Sequence, residues 1–136
     1  MTPLDLRRAP PRGPRFRLNG LFMMARTVDK LRAALPGGNL GAYQMQDMSA
    51  WLLAKLDISE AALRDVVAAA PDDAFVAAWL NERTDSSRYQ RINEALAARV
   101  TDGTSYPAAS RAGLQLLFDV LEYDDREAFG TERSDP

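Results

Sequence analysis

Apolar residues recur at three- and four-residue steps along most of this chain, and no segment alternates with period two for long enough to form a strand. That spacing puts side chains on one face of an α-helix and so restricts the fold to helix packed on helix. Leu21, Met24, Val28, Leu31 and Leu35 mark a first helix from about residue 19 to 35, and Pro36-Gly37-Gly38 stops it. Asp47-Met48-Ser49 caps a second helix carrying Trp51, Leu52, Leu53 and Leu56. Ser59 is an N-cap set between Ile58 and Leu63, the arrangement of a hydrophobic staple, and the third helix runs from Glu60 to about Ala70. Pro71-Asp72-Asp73 ends it and starts a fourth, with Phe75, Val76, Trp79 and Leu80 inward. Thr84-Asp85-Ser86-Ser87 caps a fifth, striped by Tyr89, Ile92, Leu96 and Val100, until Thr101-Asp102-Gly103-Thr104 breaks the pattern. Ser110 opens a sixth, with Leu114, Leu117, Phe118 and Leu121 inward.

The expected architecture is all-α: a compact bundle or orthogonal array of five to six short helices, forming a single domain over residues 18–121. Short links favour antiparallel neighbours. No motif repeats at a fixed period, so a solenoid is not expected. With 136 residues, 46% of them hydrophobic, one core can be filled without a metal or a disulfide.

The two flanks differ from this body and from each other. Residues 1–17 form an extended basic arm rich in proline and arginine, with Arg7, Arg8, Arg12, Arg15 and Arg17 against Asp5. The run Ala9-Pro10-Pro11-Arg12-Gly13-Pro14 cannot be helical, because proline lacks a backbone donor and pushes its predecessor toward extended geometry. Such an arm is ordered only if it packs on the body. Residues 122–136 are expected to be an acidic C-terminal tail, with at most one more helical turn near residues 126–129.

Composition removes several function classes. There is no cysteine, which excludes thiolate nucleophiles, iron–sulfur clusters and cysteine-ligated zinc, and no histidine, the most common neutral-pH base and metal ligand. Chemistry, if any, runs on carboxylates, lysine, arginine, tyrosine or serine. Neither a cofactor nor a metal site is expected. Residues 1–17 lack the apolar run of a signal peptide, and no later segment approaches the roughly 20 apolar residues of a membrane span, so a cytoplasmic location without a membrane partner is expected. A formal charge of −2 gives no drive toward a phosphate backbone, so nucleic acid is not expected as a partner despite the arginine-rich arm.

The first helix carries the most informative polar residues. At about 100° per residue, Arg26, Asp29 and Lys30 lie together opposite the apolar stripe, with Phe22 and Met23 one turn earlier on that same side. Such a helix contacts protein on more than one side. Arg26 and Asp29, three apart, are expected to form a partly buried pair, which is either a structural tie or part of a pocket. In the functional reading Arg26 holds an anionic group while Asp29 or Lys30 moves a proton, the lysine pKa lowered by desolvation beside an arginine.

The loop from Gly37 to Tyr43 is a second candidate. Glycines around Asn39 let backbone amides approach a ligand as an anion-binding nest, and Tyr43 adds a hydroxyl donor. Helix termination explains the same glycines without a ligand. Trp51 and Trp79 read as core anchors on apolar stripes. Asp72-Asp73 and Asp124-Asp125 look like paired acids, but neighbours on a helix point about 100° apart and are not expected to share a site.

The segment Leu18-Asn19-Gly20-Leu21-Phe22-Met23-Met24-Ala25-Arg26-Thr27-Val28-Asp29-Lys30, then Arg32-Ala33, the loop 37–43, Trp51-Leu52-Leu53 and Asp57-Ile58-Ser59-Glu60, resembles a bacterial family catalogued as domain of unknown function family 5069. The likeness runs to about Trp79 and covers most of the domain. It implies a small helical protein and supplies no catalytic residues.

The expected function is therefore that of a small binding or protein-interaction module, its partner an unknown small molecule or protein. The ligand-binding candidates are Arg26, Asp29, Lys30, Asn39 and Tyr43. The alternative is a small cofactor-independent enzyme or anionic-metabolite binder that uses Arg26, Asp29, Lys30 and the 37–43 loop. Oligomeric state is not legible in the sequence.

Overall fold

Asn19 and Gly20 both adopt positive φ, 54° and 78°, and reverse the chain before the first helix begins. Leu18 and Leu21 exchange backbone hydrogen bonds of 3.2 and 3.0 Å across them, the type I′ turn that an Asn-Gly pair favours. Asn93 locks this turn from a later helix, donating to the Gly20 carbonyl at 2.8 Å and accepting the Phe22 amide at 3.0 Å. In the computed structural model, which describes residues 1–130, helix α1 accordingly spans Met24–Ala33. The expected start near residue 19 is overridden, because local turn chemistry there outcompetes the helical period.

The remaining helices are α2 (Met48–Leu56), α3 (Glu60–Ala69), α4 (Asp73–Arg83), α5 (Tyr89–Ala98), α6 (Pro107–Arg111) and α7 (Leu117–Phe129), with a 3₁₀ turn at Ser86–Arg88. Among the described residues there is no strand, only isolated backbone bridges, and the helices pack as one domain. The capping residues act as their chemistry dictates: Asp47 accepts from the Ser49 amide, Ser59 from Ala62, Asp72 from Phe75 and Asp85 from Ser87.

The expected sixth helix is instead two. Gly113 at φ 85° ends α6 one turn after it forms, and α7 starts afresh at Leu117. α7 then continues through the expected boundary at residue 121 as far as Phe129, so eight residues of the expected acidic tail are helical and one of them, Asp125, is buried. The last six residues of that tail lie outside the described residues. Two residues expected to face inward do not: Phe75 is 47% and Val100 61% exposed, Val100 lying beyond the end of α5. Trp51 and Trp79 pack against the core while staying partly exposed, each beneath a cation, Lys55 and Arg83 respectively.

α1 is the axis of the fold. Nine of its ten residues are buried, charged ones included. Met24, Val28 and Leu31 join Leu52, Leu63, Val67, Val76, Leu80, Leu96 and Phe118 in the core. The opposite side of α1, which the sequence marks as polar, is covered by residues 4–14, by the start of α2 and by α7. The basic arm supplies much of that cover. Leu4 and Leu6 clasp Asn39 through backbone hydrogen bonds of 2.9 and 2.8 Å, and Leu6, Pro10, Pro11, Arg12 and Pro14 are buried. Met1 donates its terminal ammonium to the carbonyls of Val67 and Ala70 at the end of α3. The sign difference between head and α7 is also used: Arg15 pairs with Asp119 and Glu122.

Candidate functional site

Three charged residues on one buried helix would be ruinous unless each found a partner, since taking a charge out of water costs several kcal/mol. Each does, and each partner comes from a different element. Asp29, fully buried, accepts from the Arg12 amide at 2.8 Å and from its guanidinium at 3.1 Å, and Arg12 reaches on to Asp73 at the start of α4 at 2.6 Å. Arg26, 2% exposed, donates to both carboxylate oxygens of Asp125 on α7 at 2.7 and 3.3 Å, and to the Arg12 carbonyl at 3.3 Å. Lys30 donates to Asp47 at 2.9 Å and to the Ser49 hydroxyl at 3.4 Å. The expected Arg26–Asp29 pair is thus not formed. Tertiary partners displace the local one because Arg12 and Asp125 offer bidentate geometry that a three-residue helical spacing does not.

Arg26 and Lys30 line one wall of a cleft of about 630 Å³, open on one side and bounded by the arm, the 41–44 loop, the start of α2, residues 105–106 and α7. The Tyr43 ring lies under the Arg26 guanidinium at 5.4 Å, and its hydroxyl donates to Asp125 at 2.7 Å. Burial, followed by that bond to Asp125, pushes the Tyr43 phenol well up, so Tyr43 is a permanent donor. Burial lowers the Lys30 ammonium from its ordinary value; Asp47 opposes the shift and the charge of Arg26 adds to it. Asp124 moves the other way, its carboxyl raised first by burial and then by the neighbouring Asp125. Tyr106 is half-buried and its phenol is raised by burial. The apolar part of the lining comes from Leu6, Leu121, Ala128 and Phe129.

Of the five sequence candidates, the structure brings Arg26, Lys30 and Tyr43 together at this cleft. Asp29 is turned away into the Arg12–Asp73 tie. Asn39 is used in the arm clasp, and its side chain accepts the Gly41 amide at 2.8 Å. The amides of Gly38, Asn39, Gly41 and Tyr43 are all spent on protein acceptors, and Asn39 fastens the arm, so these four amides are not donors to a ligand. Asp124 and Asp125 do share a site: both line the cleft despite their angular separation, Asp125 at its floor and Asp124 less deeply buried.

Asp125, Asp124, Tyr106 and the arm residues Leu6 and Arg7 are the contributors that the sequence reading missed. For Asp125 a signal exists. It continues the i, i+4 stripe of Leu117 and Leu121, a carboxylate placed where the period demands an inward residue. Nothing comparable marks Tyr106 or the arm.

One hydrogen-bonding group at this site is left over. The Arg26 Nε is buried and has no partner among the described residues, and such groups are rare in a folded interior. Fold and site together define a small all-helical protein built around one charged central helix, with a polar-floored cleft beside it. The chain belongs to the family described as a domain of unknown function, DUF5069, whose model matches residues 8–127. No curated protein matches the chain. Among the described residues no helix is long and apolar enough to cross a membrane.

Proposed function

We propose that this protein binds a small organic molecule in the cleft between the arm, the 41–44 loop and α7. The observation that carries the reading is the unspent Nε donor of Arg26 in a residue that lines an open cleft of about 630 Å³. A purely structural Arg26 would have its capacity satisfied with no cavity beside it. The volume falls in the range of ligand sites, and the lining combines apolar walls with a few fixed polar groups, as such sites do. A protein-docking role is less well supported: among the described residues the large exposed hydrophobics are Phe75, Val100 and Leu116, of which Val100 and Leu116 adjoin through their backbone bridge.

The test is a thermal-shift screen of the purified protein against metabolites, followed by calorimetry on any compound that raises the melting temperature. Ala128→Trp, at an exposed position on the cleft wall, fills the opening without touching the core. A compound that stabilises the wild type and not this variant supports the reading. Compounds that stabilise both equally bind elsewhere, and a screen with no cleft-dependent binder rejects it.

A catalytic reading of the same cleft has one observation in its favour, the lowered pKa of the buried Lys30 amine, since desolvated lysines serve as bases and nucleophiles. It requires that a bound compound be converted, that conversion stop in Lys30→Arg, and that binding survive there.

A further inference from the structure

We propose that the ligand of this cleft is an organic cation, an amine or quaternary ammonium compound, whose charge is held by Asp124 against the rings of Tyr106 and Phe129. The inference rests on the cleft being a binding site and names the ligand class.

The charges lining the cleft decide it. Arg7, Arg26 and Lys30 give the cleft a cationic look and invite an anion, yet each is already neutralised. Arg7 pairs with Asp5 at 2.9 Å, Arg26 with Asp125 at 2.7 Å and Lys30 with Asp47 at 2.9 Å. An anion would have to compete with a carboxylate already seated, in bidentate geometry on Arg7 and Arg26 and by a single bond to the buried ammonium of Lys30. What remains is Asp124, which lines the cleft and has neither a hydrogen bond nor an ion pair among the described residues. It sits next to Asp125 on the same helix, and because Arg26 is taken up by Asp125, the Asp124 carboxylate is the lining charge left without a counter-ion among the described residues. The upward pull of burial and Asp125 on its carboxyl is the electrostatic face of the same shortage.

The walls suit a cation as well. Aromatic faces attract ammonium groups through the ring quadrupole, and a carboxylate beside such faces is the recurring arrangement for amine recognition. The Tyr43 ring already carries Arg26, whereas Tyr106 and Phe129 line the cleft with no protein cation over their rings among the described residues. Leu121 and Ala128 complete an apolar surface for methyl or methylene groups.

Matched probes separate charge from shape. Choline is compared by calorimetry with its neutral isostere 3,3-dimethylbutanol, and benzylamine with benzyl alcohol and benzoate, on wild type and on Asp124→Asn. Asp124 is partly exposed and unpartnered, so this variant is expected to fold; its melting temperature verifies that. The expected result is that a cationic probe binds, that its neutral partner binds about tenfold or more weakly, and that Asp124→Asn loses a similar factor for the cation alone. Benzoate or the neutral compounds binding as well as the amines, or Asp124→Asn leaving amine affinity unchanged, would overturn the cation assignment and leave the cleft standing as a binding site. Failure of every probe to bind also overturns it, and the cleft reading is then decided separately by the wider screen and the Ala128→Trp variant.

Discussion

Arg26 and Asp125, ninety-nine residues apart in the chain, form a bidentate ion pair from which water is excluded, each side chain only 2% exposed. The pair joins the central helix to the last one, and it orients Tyr43, whose hydroxyl shares an Asp125 oxygen with Arg26. Burial works against the Arg26 charge, but the hydrogen bonds and charge of Asp125 outweigh it and raise the guanidinium pKa overall. The interaction is therefore net favourable to the charged form, in contrast to that of Lys30.

Removing one member of this pair leaves the other charge stranded. Arg26→Met or Asp125→Leu alone is expected to cost about 3–5 kcal/mol, the usual penalty for an uncompensated buried charge. The double variant is expected to cost much less than the sum, because neither charge remains. Urea denaturation of the three variants gives the coupling; strict additivity would mean the two side chains do not act as a unit.

Arg12 is the bolt that holds the arm. It is fully buried and bridges Asp29 to Asp73 while its carbonyl accepts from Arg26. Arg12→Met should free the arm and strand Asp29, destabilising by about 3–5 kcal/mol. Trypsin cleavage after Arg7 or Arg8, both exposed, should then accelerate under native conditions, ahead of cleavage within the helices. Unchanged protection of the arm would show that the Leu4–Asn39–Leu6 clasp suffices alone.

Lys30 should behave oppositely to Arg26. Its folded-state pKa lies below the ordinary 10.5, so the unfolded chain binds a proton more tightly, and stability attributable to this group rises with pH between the lowered value and 10.5. Wild type should therefore gain on Lys30→Met as the pH climbs through that window, with the variant at its relative best near pH 7. Chemical denaturation of both proteins from pH 7 to 10.5 checks the slope, and a gap that moves the other way would show that Asp47 dominates over burial.

Asp124 gives an acid-side counterpart. Its carboxyl is raised from 3.8 by burial and by Asp125, with Glu127 adding to the shift and Arg26 opposing it. A raised carboxyl pKa means the folded state binds the proton more tightly, so this group's contribution falls as pH rises above 3.8 and stays unfavourable thereafter. Asp124→Asn is expected to raise the denaturation midpoint at pH 7 and to leave it unchanged near pH 3. Because the side chain is partly exposed, solvent screening keeps the effect small.

Much of the fold was legible in the sequence for local reasons. The caps at Asp47, Ser59, Asp72 and Asp85 work within three residues of themselves, and the stripes through Leu63 and Val67 or Ile92 and Leu96 need nothing beyond their own helix. Where two local signals competed, the period alone misled. Asn19-Gly20 reads as helix by spacing and as a type I′ turn by chemistry, and the turn wins. Gly113 likewise cuts the expected sixth helix in two.

The site was half legible for a different reason. Arg26 and Lys30 stand out because polar residues on a helix flanked by apolar ones on both sides must meet protein, and the sequence alone establishes that. It also establishes the all-helical class and the conformation of the proline-rich run, since periodicity, capping and restricted φ act over a few residues. Which carboxylate each buried cation meets is a matter of tertiary structure, because a charge removed from water takes whatever partner the packing delivers, across 17 residues for Asp29 and 99 for Arg26. Folding the arm over α1 and carrying α7 past it created both the pairs and the cleft, and left Asp124 as the lining charge without a partner among the described residues.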